Sequence, residues 1–245
     1  MTQSRGSVTC PRTKQGMIEI GELLGRSLNR VERRNAPRTL YFAGCADMVP
    51  LPGPRVSVVG TRKPTPHGLE VAHRVAAWLA SRGVVVVSGL ARGIDTAAHV
   101  AAMGAGGRTV AVLGTPLDRF YPPENRELQL RMTREQLVVS QFPAGAPIVP
   151  HNFVARNRTI ALLSDAVVIA EAKEGARGSV SLGWAALRLG RPLYIWRDTY
   201  DAGFPWTALM ARYGALRLDE DGLDRLAGSP GARDPRNFTG RPPIR

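Results

Sequence analysis

Short apolar runs alternate with stretches of helical periodicity between residues 55 and 196. The runs are rich in β-branched residues and predict buried strands; they are RVSVVG, VVVVSG, RTVAVLG, QLVVSQ, DAVVIAEA and RPLYIW. The stretches between them place apolar residues at helical spacing, and LEVAHRVAAWLASRG, for example, ends at Gly83. Nearly continuous apolar strands are typical of parallel sheets that are buried on both faces. The pattern therefore predicts an α/β fold, a three-layer sandwich with a mostly parallel sheet and helices on both faces.

The two ends of the chain lack this alternation. Residues 1–38 are polar and arginine-rich, and we expect a basic, partly ordered N-terminal extension with a short helix in IEIGELLGRSLNRVERR. Residues 39–227 are expected to form the folded domain, which opens with a short strand and a turn-rich connector in YFAGCADMVPLPGPR. Residues 228–245 are rich in proline, glycine and arginine, a composition that predicts a disordered tail.

Composition adds a strong positive charge. The 245 residues carry a formal net charge of +13 at pH 7, which favours an acidic partner such as nucleic acid. Arginine outnumbers lysine 30 to 3, so compositional drift is an alternative explanation of this charge. No apolar run reaches the ~18 residues of a membrane-spanning helix, and no signal peptide is evident, so we expect a cytoplasmic protein with no membrane contact. Cys10 and Cys45 lack metal-ligand spacing, and the absence of a GxGxxG motif disfavours a dinucleotide redox cofactor, so neither a metal nor a cofactor is expected.

The residues that follow the predicted strands share one chemistry. The carboxyl ends of parallel strands meet at one edge of a sheet, where ligands bind. Glycine, hydroxyl and arginine side chains recur there, in GTRKPT, SGLARG, GTPLDRFYPPEN and EAKEGARGS. Glycines let backbone amides approach an anion, and arginine holds phosphate through paired hydrogen bonds. The edge is therefore expected to bind phosphate, either of a nucleotide or of a nucleic-acid strand, although neither GxGxxG nor a P-loop sequence is present.

Two further groups of polar residues have open interpretations. In FVARNRTIALLS, Arg156 and Arg158 cannot fully share one helical face, so one can point to the sheet edge and the other outward, or both can be solvated. Asp95 and His99 lie four residues apart on a predicted helix. A role for Asp95 at the helix N-terminus, with His99 packed beside it, is favoured over acid–base or metal chemistry.

Four segments resemble the DNA-processing protein A family, called DprA or Smf. They are VSVVGTRKPTPHG, VSGLARGIDTAAH, GRTVAVLGTPLDRFYPPENREL and NFVARNRTIALLSDAVVIAEA, and the resemblance runs from about Thr39 to Trp196. It implies an extended Rossmann-like fold and a protein that binds single-stranded DNA, protects it in transformation, loads a RecA-type recombinase and forms a homodimer. The family is not known for enzymatic activity.

The resemblance also implies a set of phosphate-contacting residues. They fall in the loops after the first, second and fifth strands and in the RNR segment, and they are Gly60, Thr61, Arg62, Ser88, Gly89, Arg92, Gly93, Arg156, Asn157, Arg158, Gly178 and Ser179. The chain departs from the family where RGSVSL replaces SGSLIT, and neither a full N-terminal helical domain nor a C-terminal winged helix is expected. Two alternatives remain. One is a nucleotide-hydrolysing phosphoribohydrolase, although this sequence lacks the PGGxGTxxE signature of those enzymes. The other is a nucleotide-sensing defence module.

Overall fold

A computed structural model describes residues 10–227 of the chain. The predicted disordered tail, residues 228–245, therefore lies outside the described residues. Within residues 10–227, nine strands form one sheet in the order β1-β2-β6-β5-β4-β3-β7-β8-β9. The strands are β1 Thr13–Ile18, β2 Leu40–Cys45, β3 Arg55–Gly60, β4 Val85–Ser88, β5 Thr109–Leu113, β6 Leu137–Ser140, β7 Ala166–Glu171, β8 Leu193–Trp196 and β9 Leu216–Leu218.

The sheet is parallel except at one end. Strand β1 pairs antiparallel with β2, and β2 pairs antiparallel with β6, whereas all other neighbours are parallel. The helices are α1 Ile20–Leu23, α2 Arg30–Asn35, α3 Pro66–Ser81, α4 Ile94–Gly104, α5 Arg126–Glu135, α6 Pro150–Leu163, α7 Arg177–Arg188, α8 Arg197–Tyr200, α9 Pro205–Arg212 and α10 Asp224–Ala227.

Helices cover both faces of the sheet, which confirms the predicted three-layer α/β sandwich. Successive strand residues point to opposite faces, so Val85 and Val87 pack with α6 and α7, while Val86 packs with α3 and α4. Because each face has its own helical layer, the central strands need apolar residues at every position. That requirement explains the uninterrupted apolar runs that predicted them.

The order of the strands reverses between β3 and β7. From β3 the chain continues through β4, β5 and β6 on one side, and β7, β8 and β9 extend the sheet on the other side. Helix α3, which follows β3, and helix α7, which follows β7, cover opposite faces. The carboxyl ends of β3 and β7 therefore flank a crevice at the point where parallel sheets of this type bind ligands.

The N-terminal segment expected to contain a short helix contains two, and a strand precedes them. The chain first forms β1, then α1 and α2, which are separated at Gly25 with φ of +65°. Five of the six β1 residues are exposed, so an edge strand of this kind has no apolar alternation that could reveal it. The predicted extension thus adds a strand to the same sheet.

A buried carboxylate fastens α2 to the rest of the protein. Glu32 is fully buried and accepts hydrogen bonds from the guanidinium groups of Arg26, at 2.7 Å, and Arg191. Burial alone would raise the pKa of Glu32, but the bond from Arg26, the backbone amide of Asn29 and the charge of Arg191 lower this pKa to about 2. Arg191 also reaches the carbonyl oxygens of residues 161 and 162 at 3.4 Å, so it connects α2 to the end of α6.

Candidate functional site

A cleft of about 690 Å³ opens at the crevice between β3 and β7. Its walls come from the loop after β3, the first turns of α7 and the N-terminal half of α6, and Ala91, Asp95 and Tyr121 complete the lining. Of the predicted phosphate-contacting residues, it brings together Gly60, Thr61, Arg62, Arg156, Asn157, Gly178 and Ser179.

The loop after β3 is held close to β7. The amide of Thr61 donates to the carbonyl oxygen of Glu171 at 2.8 Å. A Cβ atom at Gly60 would lie 2.6 Å from that same oxygen and 2.6 Å from the side chain of Ile94, so only glycine fits there. Arg62, two residues after Gly60, is exposed at the mouth of the cleft, where its guanidinium can bind a ligand phosphate.

Aromatic and aliphatic side chains form the rim of the cleft. The guanidinium carbon of Arg62 lies 5.7 Å from the centre of the Phe153 ring, and the Tyr121 ring lies 5.1 Å from the same ring. Val154 is 50% exposed, and Ile148 and Val149 are also exposed. The sequence interpretation did not single out these residues. Aromatic residues interleaved with arginines, as in NFVARNR, are the signal that could have identified Phe153.

Arg156 lies beneath the loops rather than in solvent. It is 4% exposed and donates to the carbonyl oxygens of Gly89 and Val112, the latter at 2.7 Å. A Cβ atom at Gly89 would overlap this guanidinium. Burial lowers the pKa of Arg156 to about 10, against the opposing effect of Asp95, so the group remains a cation at neutral pH. Arg156 therefore fixes the ends of β4 and β5 from below.

Asp95 holds the loop after β4 from the other side. Its carboxylate accepts hydrogen bonds from the amides of Gly89 at 3.2 Å and Ala91 at 3.3 Å. Burial raises the pKa of Asp95, while the charge of Arg156 and these hydrogen bonds lower it. The His99 ring forms its hydrogen bond with Thr109, at 2.7 Å, rather than with Asp95.

The remaining residues of the RNR segment point in different directions. The side-chain amide of Asn157 donates to the carbonyl oxygen of Gly178 at 3.1 Å, which joins α6 to the start of α7. Ser179 is nearly buried at the cleft wall, and Gly178 is exposed. Arg158 is exposed on the outer side of α6 and does not line the cleft.

Three predicted residues after β4 lie away from the cleft. The Ser88 hydroxyl is buried and donates to the carbonyl oxygen of Val58 at 2.7 Å. Arg92 forms an ion pair with Glu124 at 2.7 Å and, with Gly93, borders a separate groove of about 1010 Å³ between α3 and α4. Gly93 has φ of +77°, and its Cβ position lies 2.6 Å from the carbonyl oxygen of Thr61, so glycine is required where α4 begins.

The acidic residues at the edge have internal partners. Glu171 accepts hydrogen bonds from the amide and hydroxyl groups of Thr65, which caps α3, each at 3.0 Å.

Within residues 10–227, no group of three or more histidine, cysteine, aspartate or glutamate side chains could hold a metal ion. In the same part of the chain, no helix has the length and apolar character needed to span a membrane.

Comparison with known proteins places this architecture among related chains. The family described as DNA recombination-mediator protein A matches residues 25–207. Protein Smf of Synechocystis is 46% identical over 144 residues, covering 57% of this chain and 36% of the relative. DNA processing protein DprA of Streptococcus pneumoniae is 41% identical over 160 residues, covering 65% of this chain and 55% of the relative. The chain thus spans about half the length or less of these relatives.

Two solved structures of DNA processing protein A superpose on this chain. The X-ray structure of DprA from Streptococcus pneumoniae superposes with a TM-score of 0.73 at 34% identity and covers 89% of this chain and 75% of its own. The Helicobacter pylori DNA processing protein A, described for its single-stranded DNA binding mode, has a TM-score of 0.72 at 25% identity, with 88% and 94% coverage. A molybdenum cofactor binding protein of Rippkaea orientalis, at 20% identity and TM-score 0.53 over 73% of this chain and 98% of its own, shares the fold alone.

Proposed function

Because the chain belongs to the DNA recombination-mediator protein A family, we propose that it binds single-stranded DNA in the cleft between β3 and β7. The observation that carries the proposal is the position of Arg62 against Phe153 at the mouth of the cleft. One side chain offers a cation to a phosphate, and the other offers a ring face to a base. Proteins that bind single strands combine these two contacts.

The rim of the cleft favours a single strand over a duplex. Phe153 and the exposed apolar residues Ile148, Val149 and Val154 can contact the faces of unstacked bases. In a duplex these faces are stacked inside the helix and are not available. The amides of the glycine-rich loops and Arg62 would meanwhile contact the sugar-phosphate backbone.

The proposal extends to the wider role that the resemblance implies. The chain would protect the bound strand and present it to a RecA-type recombinase, acting in the cytoplasm as a homodimer. It would not catalyse a reaction itself. The carboxylates of Asp95 and Glu171 already accept hydrogen bonds from the amides of Gly89 and Thr65, which supports the last point.

Competition binding tests the proposed function. A labelled oligonucleotide would be displaced from the full chain by unlabelled single-stranded DNA, blunt duplex or nucleoside monophosphates. We expect displacement by the single strand alone, and affinity that falls with salt with a log–log slope of about −0.7 per phosphate contacted. Equal displacement by duplex would contradict the proposal, and displacement by a monophosphate would support the nucleotide-binding alternative.

A conservative substitution separates base stacking from general packing. Phe153→Leu keeps an apolar side chain at the rim but removes the aromatic face. It should weaken binding of single-stranded DNA by about 1–3 kcal/mol, the usual contribution of one stacked base, while the melting temperature changes little. Val100→Leu, at an exposed apolar residue of α4 that does not line the cleft, is the matched control. Unchanged affinity in Phe153→Leu would exclude stacking on this ring.

A further inference from the structure

The outer face of α2 carries positive charge alone. Arg30, Arg33 and Arg34 are exposed on this helix. Its one acidic residue, Glu32, is turned inward and is bonded to Arg26 and to the buried Arg191. Positive charge therefore remains on the solvent side of α2 without a carboxylate from the same helix to offset it.

Helix α2 has a fixed position at the far end of α6. Both helices belong to the layer that covers one face of the sheet, and they pack against each other. Arg191 strengthens this arrangement, because it bonds to Glu32 of α2 and to the last carbonyl oxygens of α6. The exposed sides of α2 and α6 consequently belong to the same face of the molecule.

An exposed line of residues on α6 leads from the cleft toward α2. Val154 lies at the rim of the cleft, and Arg158 follows four residues later on the same helical face. The whole of α6 is 14 residues long, or about 21 Å at 1.5 Å per residue. Arg158 thus stands between the cleft at one end of this helix and α2 at the other.

We propose that single-stranded DNA leaving the cleft crosses the exposed side of α6 and then α2, with its phosphates contacting Arg158, Arg30 and Arg34. These three residues form what we name the outer basic face. The proposal rests on the proposed function and deepens it, because it adds a second binding segment outside the cleft. A polyanion is the ligand that a line of cations continuous with the cleft fits best.

Oligonucleotides of two lengths distinguish DNA binding in the cleft from DNA binding on the outer basic face. The double variant Arg30→Gln and Arg34→Gln keeps long polar side chains at both positions. It leaves the Asn29 cap of α2 and the bonds from Arg26 and Arg191 to Glu32 in place. Binding would be measured with single strands of about 6 and about 20 nucleotides; the first lies within the ~4–16 nucleotides that one OB fold covers, and the second exceeds this range. Arg134→Gln, an exposed arginine of α5 on the opposite face, is the matched control.

We expect the double variant to weaken binding of the longer strand by roughly tenfold and to reduce its salt slope by about 1.4, as for two lost phosphate contacts. The shorter strand should bind the variant and the parent chain alike, and Arg134→Gln should change neither affinity. An unchanged affinity for the longer strand would overturn the outer basic face while the cleft could still bind DNA. If neither strand binds the parent chain, the proposed function itself fails. A melting temperature equal to that of the parent chain confirms that the variant is folded.

Discussion

Replacing Arg62 with alanine is the most direct test of the cleft. The side chain is exposed and faces the Phe153 ring at 5.7 Å, so its loss should cost the fold no more than about 0.5–1 kcal/mol, the range for an exposed cation–π contact. A charge-assisted hydrogen bond to phosphate contributes about 1.5–3 kcal/mol, which corresponds to a roughly tenfold to 150-fold loss of affinity for DNA. Binding should therefore fall sharply while stability changes little.

Arg92 provides the matched comparison, since the resemblance assigns it a similar role. Its side chain is 58% exposed but is paired with Glu124, and it borders the groove between α3 and α4 rather than the cleft. Because Arg92 is already paired and lies outside the cleft, Arg92→Ala should weaken binding severalfold less than Arg62→Ala.

Fluorescence anisotropy with a labelled single strand over a series of salt concentrations measures both variants. The salt slope should decrease by about 0.7 for Arg62→Ala and by less for Arg92→Ala. The reasoning is refuted if Arg62→Ala binds like the parent chain. Equal losses in the two variants would instead place the strand along the loop after β4.

The remaining predictions concern stability. Arg156→Ala should lower the free energy of unfolding by about 3–5 kcal/mol, because the buried carbonyl oxygens of Gly89 and Val112 lose a charged hydrogen-bond donor. Exposed Arg158→Ala should change this free energy by less than about 0.5 kcal/mol, and urea unfolding measures both. Gly93→Ala should cost about 1–3 kcal/mol in thermal melts because of its φ of +77°, and Gly178→Ala, with open space around its Cβ position, should be tolerated. Lowering the pH from 4.5 to about 2 should reduce the free energy of unfolding by roughly 3 kcal/mol, because the pKa of Glu32 is depressed in the folded state and the carboxylate gains its proton over this range. The reduction over the same range should be smaller in Glu32→Gln.

The central strands were predictable because of their physical setting. A strand between two helical layers buries both faces, so β3 to β8 are apolar at nearly every position. The helices that connect them have an apolar side and glycine at several ends. Strands β1 and β9 lack these signals, since β1 exposes five of six residues and β9 has only three. Their place in the sheet follows from backbone pairing with a neighbour, which side-chain periodicity does not encode.

The candidate site shows a similar division. Glycine, hydroxyl and arginine residues at strand ends predicted the edge at which the cleft lies, because the chain order of α/β units brings those ends together. The sequence did not predict the direction of each side chain. Arg156 and Arg158 are two residues apart, so helical geometry separates them but cannot say which one turns inward. Arg156 does so because the carbonyl oxygens of Gly89 and Val112 are within its reach.

The inward position of Arg156 also determines where attraction for DNA can arise. Arg156 is 4% exposed beneath the loops, so its charge is not available for direct contact with a phosphate, and burial raises the pKa of the neighbouring Asp95. The pair holds the loop after β4 in place, because both members bond to Gly89. A phosphate at the mouth would therefore be attracted chiefly by Arg62 and by loop amides. Pre-ordered amides cost little entropy when a ligand binds, so the buried pair would assist binding by keeping the loop rigid rather than by direct contact.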